Sequence, residues 1–271
     1  MKEWRFTGSE ELLSQALLRR TKLPELTVAK LIEYGAVVWR SQGKGSWLRV
    51  RDGKLQLKPL DQLQIAYEPR VLSMAPFNAS EPLWESKQYG IWHKPAGVMS
   101  QGTAAGDQCS MLYGVEKKGR TPFLVHRLDR ETEGPMIIAY NGKAAGKLSE
   151  LFQQQQVHKT YHAIVSHADL LSDEGKFTDT LDSKTAETKY KVLSRLAENR
   201  ALVELKPITG RLHQIRRHLA LNGSGVLGDP KYGKDNKNRD GMKLAAVGLE
   251  FIDPWERDTR SIKSLASFAQ S

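Results

Sequence analysis

Six ionisable residues crowd into the segment LVHRLDRETEG at 124–134, just ahead of the apolar run MIIAY: His126, Arg127, Asp129, Arg130, Glu131 and Glu133. A carboxylate in a loop at the mouth of an apolar strand can attack an electrophilic carbon, stabilise an intermediate or carry a proton. Asp129, Glu131 and Glu133 stand two and four apart on one loop, a poor match to a carboxylate pair flanking a scissile bond from opposite sides, so a base-excising glycosylase is a weak reading. Four further segments hold chemistry-bearing side chains: HKPAG at 93–97, KTYHAIV at 159–165, PITGRLHQIRRHLA at 207–220 and GDPKYG at 228–233. Other chemistries lack their motifs. No phosphate-binding G-x-x-x-x-G-K-[ST] loop, no G-x-G-x-x-G, no H-E-x-x-H and no G-x-S-x-G elbow occurs in the chain. His158 and His162 fall in a strand-like run, which sets them about 13 Å apart. His213 and His218 on a helix diverge by about 140°. No metal site is expected.

Taken in order, HKPAG, HRLDRET with Gly134, KTYHAIV, TGRLHQIRRHL and GDPKYG resemble the motifs of the RluA family of pseudouridine synthases, over about residues 89–254. Residues 10–67 more loosely resemble the S-four-like RNA-binding module that many of its members carry at the N-terminus. The resemblance implies isomerisation of uridine in RNA to pseudouridine without a cofactor: the base leaves its anomeric carbon, turns, and rejoins through ring carbon 5. Asp129 matches the catalytic aspartate, and three routes stay open for it: addition to base, addition to sugar, or stabilisation and deprotonation of an intermediate. Arg216 matches the arginine that pairs with the aspartate, its planar fork suited to bidentate pairing. Tyr161 matches a tyrosine that stacks on the extruded base and whose hydroxyl can take part in proton removal at carbon 5. Arg127 matches a side chain that fills the vacated space in the RNA, and Ile215 the pocket wall. Lys94 and His126 join this RNA-binding set, with a structural hydrogen bond as the alternative for His126. Departures are Glu133 where serine is usual, Pro135 in place of an aliphatic residue, Leu212 where threonine is common, Ala245 for a late histidine, and Asp253-Pro254 for His-Pro. Glu133 is expected to put an extra carboxylate near the RNA path. The competing class is a non-catalytic RNA-binding or ribosome-assembly factor on the same fold, which would not need Asp129, Tyr161 and Arg216 together.

The elements that must position these residues can be read from periodicity. EELLSQALLRR at 10–20 places Leu13, Ala16 and Leu17 on one helical stripe, with Thr7–Glu10 as a capping box or Ser9 as the cap. A second helix is expected after Thr27, ending at Gly35. AVVWR, SWLRVR and the alternating QLQIAY follow as strands. Residues 1–68 are thus expected as a small α/β domain, RNA-binding by the resemblance, and 69–88, with Pro69, Pro76 and Pro82, as a linker. Strand-like runs YGIWHK, PMIIAY, KTYHAIV, TKYKVLS, ALVELK and LEFI, interrupted by helical patterns at 143–153 and 213–221, predict an α+β catalytic domain over 89–260 with a mixed, largely antiparallel sheet. A polar, frayed tail is expected over 261–271.

Composition sets the outer limits. The chain has 271 residues, 39% of them hydrophobic, which suffices for a core. No apolar stretch approaches a membrane span and the N-terminus has no secretory pattern. The single cysteine, Cys109, fits a reducing, cytoplasmic setting. The net charge of +10 points to a polyanionic partner. Residues 1–70 hold 13 basic and 8 acidic residues, and the other 201 hold 28 and 23, so the surplus is densest at the N-terminus. Between Arg40 and Lys58, Arg40, Lys44, Arg49, Arg51, Lys54 and Lys58 face only Asp52, and Arg40, Lys44, Arg49 and Arg51 are expected to meet RNA phosphates. The expected partner is structured ribosomal RNA, with transfer RNA as the second choice; a monomer is expected, with no membrane and no metal.

Overall fold

The computed structural model describes residues 1–233 and 240–269. The chain divides into two compact units: Met1–Ala79 with Gln101–Arg120, and Ser80–Ser100 with Thr121–Ser271.

The first unit runs β1 (Lys2–Thr7), α1 (Leu13–Thr21), α2 (Glu25–Glu33), β2 (Val37–Arg40), β3 (Leu48–Arg49), β4 (Gln62–Tyr67), α3 (Pro69–Leu72) and α4 (Met111–Lys117). The stripe Leu13, Ala16 and Leu17 is fully buried against Leu31, Val37, Leu63 and Ile65. β4 shows why QLQIAY alternates: Leu63 and Ile65 face that core, and an antiparallel sheet of order β1-β4-β2-β3 forms around it. β1 was not anticipated; it pairs with β4 over its whole length, Trp4 opposite Ile65. The expected caps of α1 are replaced by Leu12, which makes no side-chain cap, because the Ser9 hydroxyl bonds Glu11 instead. α2 starts at Glu25, two residues before Thr27, because Pro24 supplies the preset backbone ahead of the first turn.

Residues 101–120 complete this unit. The Asp107 amide donates to Tyr34 O at 2.9 Å and the Phe77 amide to Gln108 O at 2.7 Å. Ser110 caps α4 through the Tyr113 amide. The stretch 69–88, expected as a linker, carries α3 and, past Ser80, the edge strand β5 (Trp84–Glu85) of the second unit.

The second unit continues with β6 (Tyr89–Lys94), β7 (Phe123–Leu124), β8 (Gly134–Ala139), α5 (Gly142–Gln153), β9 (His158–Ser166), β10 (Glu174–Phe177), β11 (Thr188–Leu196), β12 (Arg200–Pro207), α6 (Gln214–Leu221), β13 (Leu244–Ile252) and β14 (Thr259–Lys263). Two sheets form, of order β5-β6-β8-β7 and β10-β11-β12-β9-β13-β14, every ladder antiparallel. They meet at a parallel bridge between Glu133 and Ala245. Ala163 and Val165 of β9, Val203 and Leu205 of β12 and Leu219 of α6 make one core. Tyr89, Ile91, Ile137 and Leu148 make another. The fold is α+β, as expected. The tail is more ordered than expected: β14 pairs with β13, Ile262 opposite Leu249, and a short 3-10 turn spans Ser267–Ala269. Gln270 and Ser271, the last two residues of the expected tail, lie outside the described residues. Among the described residues no helix is long and apolar enough to cross a membrane.

Candidate active site

Asp129 stands in the loop between β7 and β8, and its backbone neighbours are fastened on both sides. The Ser100 hydroxyl donates to Leu128 O at 2.7 Å and accepts from the Leu128 amide at 3.0 Å. On the other side Arg130 O accepts from the Gly97 amide at 2.7 Å and from Lys94 Nζ at 3.1 Å. Lys94 also donates to Pro95 O and Val98 O and is 0% exposed. Desolvation lowers its ammonium to a pKa of about 8. Lys94 was expected at the RNA; its three donors are instead spent inside the protein, because burial of an ammonium requires acceptors for all of them. The HKPAG motif therefore braces the aspartate loop. The loop ends at Gly134, whose φ of +131° and close approach to Ala246, where a Cβ would meet the carbonyl oxygen at 2.1 Å, admit only glycine.

Arg216 arrives from α6. His213, in the left-handed conformation, precedes the helix, and the buried Gln214 amide locks its start. Its oxygen accepts from the Arg211 amide and the Thr209 hydroxyl, and its nitrogen donates to Glu187 O and the Thr188 hydroxyl. The next turn points Ile215 and Arg216 inward, the latter 3% exposed. Arg216 Nη1 donates to Asp129 Oδ2 at 2.8 Å, while Nε and Nη2 grip Asp229 Oδ2 and Oδ1 at 2.7 and 2.8 Å. The fork expected for Asp129 thus goes to Asp229, and Asp129 takes a single bond. Asp229 lies in the GDPKYG turn, where the same carboxylate also accepts from the Lys231 and Tyr232 amides. Read as turn chemistry alone, that segment hid its carboxylate; an acidic residue enclosed in a Gly-Pro turn was the available signal.

Electrostatics follow from these contacts. Burial by itself would raise Asp229, but the Arg216 fork and the two amides outweigh it and hold the carboxyl below its ordinary range. Burial opposes the Arg216 charge, yet Asp229 and Asp129 outweigh it and raise its pKa. Asp129 keeps its other oxygen, Oδ1, 3.7 Å from His213 Nε2, and His213 is itself bonded through Nδ1 to the Tyr232 hydroxyl at 3.0 Å. Desolvation lowers the His213 imidazole.

Asp129, Arg216 and Ile215 line a cavity of about 580 Å³ with Tyr161, His126, Arg127 and Lys159. That is ample for a nucleobase and part of its sugar. Burial first, and the charge of Asp129 second, push the Tyr161 phenol well above its ordinary value. It is therefore a neutral ring at working pH. Arg127 is exposed at the cavity and makes no hydrogen bond or ion pair among the described residues; Glu131 pairs with Arg130 instead, at 2.9 Å. His126 lines the cavity but faces the fold: its Nε2 accepts from the Ile137 amide at 2.8 Å and its ring stacks on Phe152. Glu133 does not reach the cavity; its carboxylate accepts from the Ser267 amide at 2.7 Å. Asp253 is likewise structural, accepting from the Tyr89 hydroxyl and the Trp255 amide. Among the described residues no three His, Cys, Asp or Glu side chains form a metal-holding group.

The basic stretch of the first unit divides. Arg51 donates to Asp107 at 2.7 Å and Glu116 at 3.1 Å, and Arg49 donates to Gly35 O and Thr103 O. Both were expected on RNA; the carboxylates and carbonyls of 101–120 and the end of α2 engage them instead. Arg40 lies on the Trp47 ring and bonds Gln62. Lys44 is exposed and unpartnered among the described residues.

The model of the family "RNA pseudouridylate synthase" matches residues 88–221. A Rickettsia bellii protein named ribosomal large subunit pseudouridine synthase C is 32% identical over 239 residues, 79% of each chain. A Yersinia pestis protein named dual-specificity RNA pseudouridine synthase RluA is 33% identical over 166 residues, 55% of this chain and 80% of that one. A human structure titled RNA pseudouridylate synthase domain containing 1 shares the fold, with a TM-score of 0.60 at 22% identity over 71% of this chain and 86% of that one. With the Asp129–Arg216 pair in the lining of its cavity, the chain belongs to the RluA family of RNA pseudouridine synthases.

Proposed function

We propose that this enzyme isomerises uridine in ribosomal RNA, with Asp129 as the catalytic carboxylate, Arg216 as its partner and Tyr161 as the surface on which the flipped base rests. The observation that carries this reading is the division of labour on Arg216: Asp229 takes the fork, and Asp129, which lines the cavity, is held by a single bond on Oδ2. All three routes open to the aspartate need a carboxylate, and the single guanidinium bond orients it. Oδ1 is the atom that reaches the sugar or the base. The neutral Tyr161 ring supports stacking and hydrogen bonding, while phenolate chemistry is disfavoured by its raised pKa. Arg127, unpartnered at the cavity edge, suits the space the base leaves in the RNA. The first unit serves as an S-four-like RNA-binding module, with Lys44 and Arg40 toward phosphate. The enzyme works as a monomer in the cytoplasm, in line with the buried single thiol of Cys109.

Ribosomal RNA is preferred because the Rickettsia relative is named for the large ribosomal subunit; transfer RNA is the second reading, since the Yersinia relative is named dual-specificity. Mapping pseudouridines in total RNA from cells with and without the gene decides between them. The expected result is one or a few ribosomal sites that vanish in the deletion and return with wild-type protein but not with Asp129→Asn. Sites confined to transfer RNA would transfer the assignment; full rescue by Asp129→Asn would remove the aspartate from it.

A further inference from the structure

A second cavity of about 790 Å³ lies on the outer face of the six-stranded sheet. Its origin is a fault in the ladder. The Ile208 amide donates to Glu187 O on the β11 side, so its neighbour Pro207 turns toward β9, where it has no N–H to give. Pairing of β12 with β9 accordingly stops at Leu205–Tyr161, although β9 begins three residues earlier at His158. Gln155, Val157, Lys159, Pro207 and Ile208 therefore line both this cavity and the one that holds Asp129. The two are adjacent, and these five residues are their common wall.

The charge of the second cavity is basic. Lys159, Lys189, Lys206 and Lys263 line it against Glu204 and Glu250. Lys206 neutralises Glu204 at 2.9 Å, while the ammonium groups of Lys159, Lys189 and Lys263 have no hydrogen-bond or ion-pair partner among the described residues. No Phe, Tyr or Trp lines it, so His158 and His162 are the only rings it offers among the described residues; Ile208 and Leu265 are its exposed apolar walls. With four lysines against two small rings, a polyanion recognised through its backbone fits such a surface better than a base-reading contact.

We propose that this groove takes the sugar–phosphate backbone of the RNA strand flanking the target uridine, with Lys189 and Lys263 on its phosphates and Lys159 in the wall it shares with the Asp129 cavity. The inference rests on that cavity being the uridine pocket. The contact adds affinity uniformly across sequences and reads no base.

The test compares wild type with the double variant Lys189→Gln/Lys263→Gln on total RNA from cells lacking the gene. The expected result is a half-saturating RNA concentration raised roughly tenfold, a salt slope flattened by about 1.4 for two lost single-strand phosphate contacts, and an unchanged maximal yield of pseudouridine. The difference should disappear on a transcript trimmed to the few nucleotides around the mapped site. Acylation of lysines in the wild-type protein, with and without RNA, supplies a second reading that needs no variant: Lys189 and Lys263 should be protected. An unchanged salt slope with both lysines fully reactive in the complex overturns the groove. Wild-type protein that makes no new pseudouridine overturns the isomerase reading on which it rests.

Discussion

At the scale of single residues, one guanidinium serves two carboxylates with different tasks. Asp229, buried and chelated, anchors Arg216; Asp129, bound once, carries the proposed chemistry. Arg216→Lys should lower kcat about a hundredfold or more with little change in RNA affinity, because one ammonium cannot reproduce three directed bonds. Asp229→Asn should also lower kcat, and should cost about 3 kcal/mol in urea unfolding by leaving a buried charge half-paired. His126 carries a separate prediction. Desolvation first, and Lys159 second, lower its pKa from 6.5 to about 3. The unfolded chain therefore takes up this proton first as pH falls. Stability from the neutral ring is complete above about pH 6.5 and declines by about 1.4 kcal/mol per unit toward pH 3. Unfolding at pH 7.5 and 5.5 should show a fall that is smaller by about 1.4 kcal/mol in His126→Gln. That Asp129, Tyr161, Arg216 and Ile215 meet at one cavity was legible in the sequence because each sits in a contiguous motif. Lys94 was not: nothing in HKPAG distinguishes a lysine enclosed by three carbonyls from one facing a phosphate. Asp229 escaped because the role of a turn carboxylate depends on a partner brought by another helix.

At the scale of elements, the loop bearing Asp129 is rigid through backbone bonds rather than its own secondary structure. Ser100 holds Leu128 from both sides, and Lys94 with Gly97 holds Arg130. Ser100→Ala should cost about 1–3 kcal/mol for the Leu128 groups left unpaired. In single-turnover assays it should slow the chemical step while leaving the RNA dissociation constant within a few-fold. A normal single-turnover rate would show that the loop holds its shape without this clamp. Periodicity located many of the elements, since strands β6, β8, β9, β11 and β12 and helices α5 and α6 carry clear patterns. It missed β1 and β14, polar edge strands whose form comes from pairing with β4 and β13. It also missed α4, whose seven residues are too few to display a period.

At the scale of the whole molecule, the basic character of the first unit is partly internal. Arg51 meets Asp107 and Glu116, which the chain delivers 56 and 65 positions later. Spacing along the sequence cannot reveal such a meeting, so Arg49 and Arg51 looked like RNA contacts. Arg51→Ala should lower the melting temperature and expose residues 101–120 to limited proteolysis while leaving the salt dependence of RNA binding nearly unchanged. Lys44→Ala should do the reverse, flattening the salt slope without altering the melt. Equal salt slopes for Lys44→Ala and wild type would take phosphate contact away from this unit.

The sharing of one unit between two stretches of chain bears on how such a protein can be recombined. A chimaera joined at a single crossover between residues 68 and 88 would import a foreign N-terminal module yet retain 101–120, whose Asp107 and Glu116 would then confront no arginine. A working exchange has to carry both stretches together, two separated pieces of gene for one piece of protein.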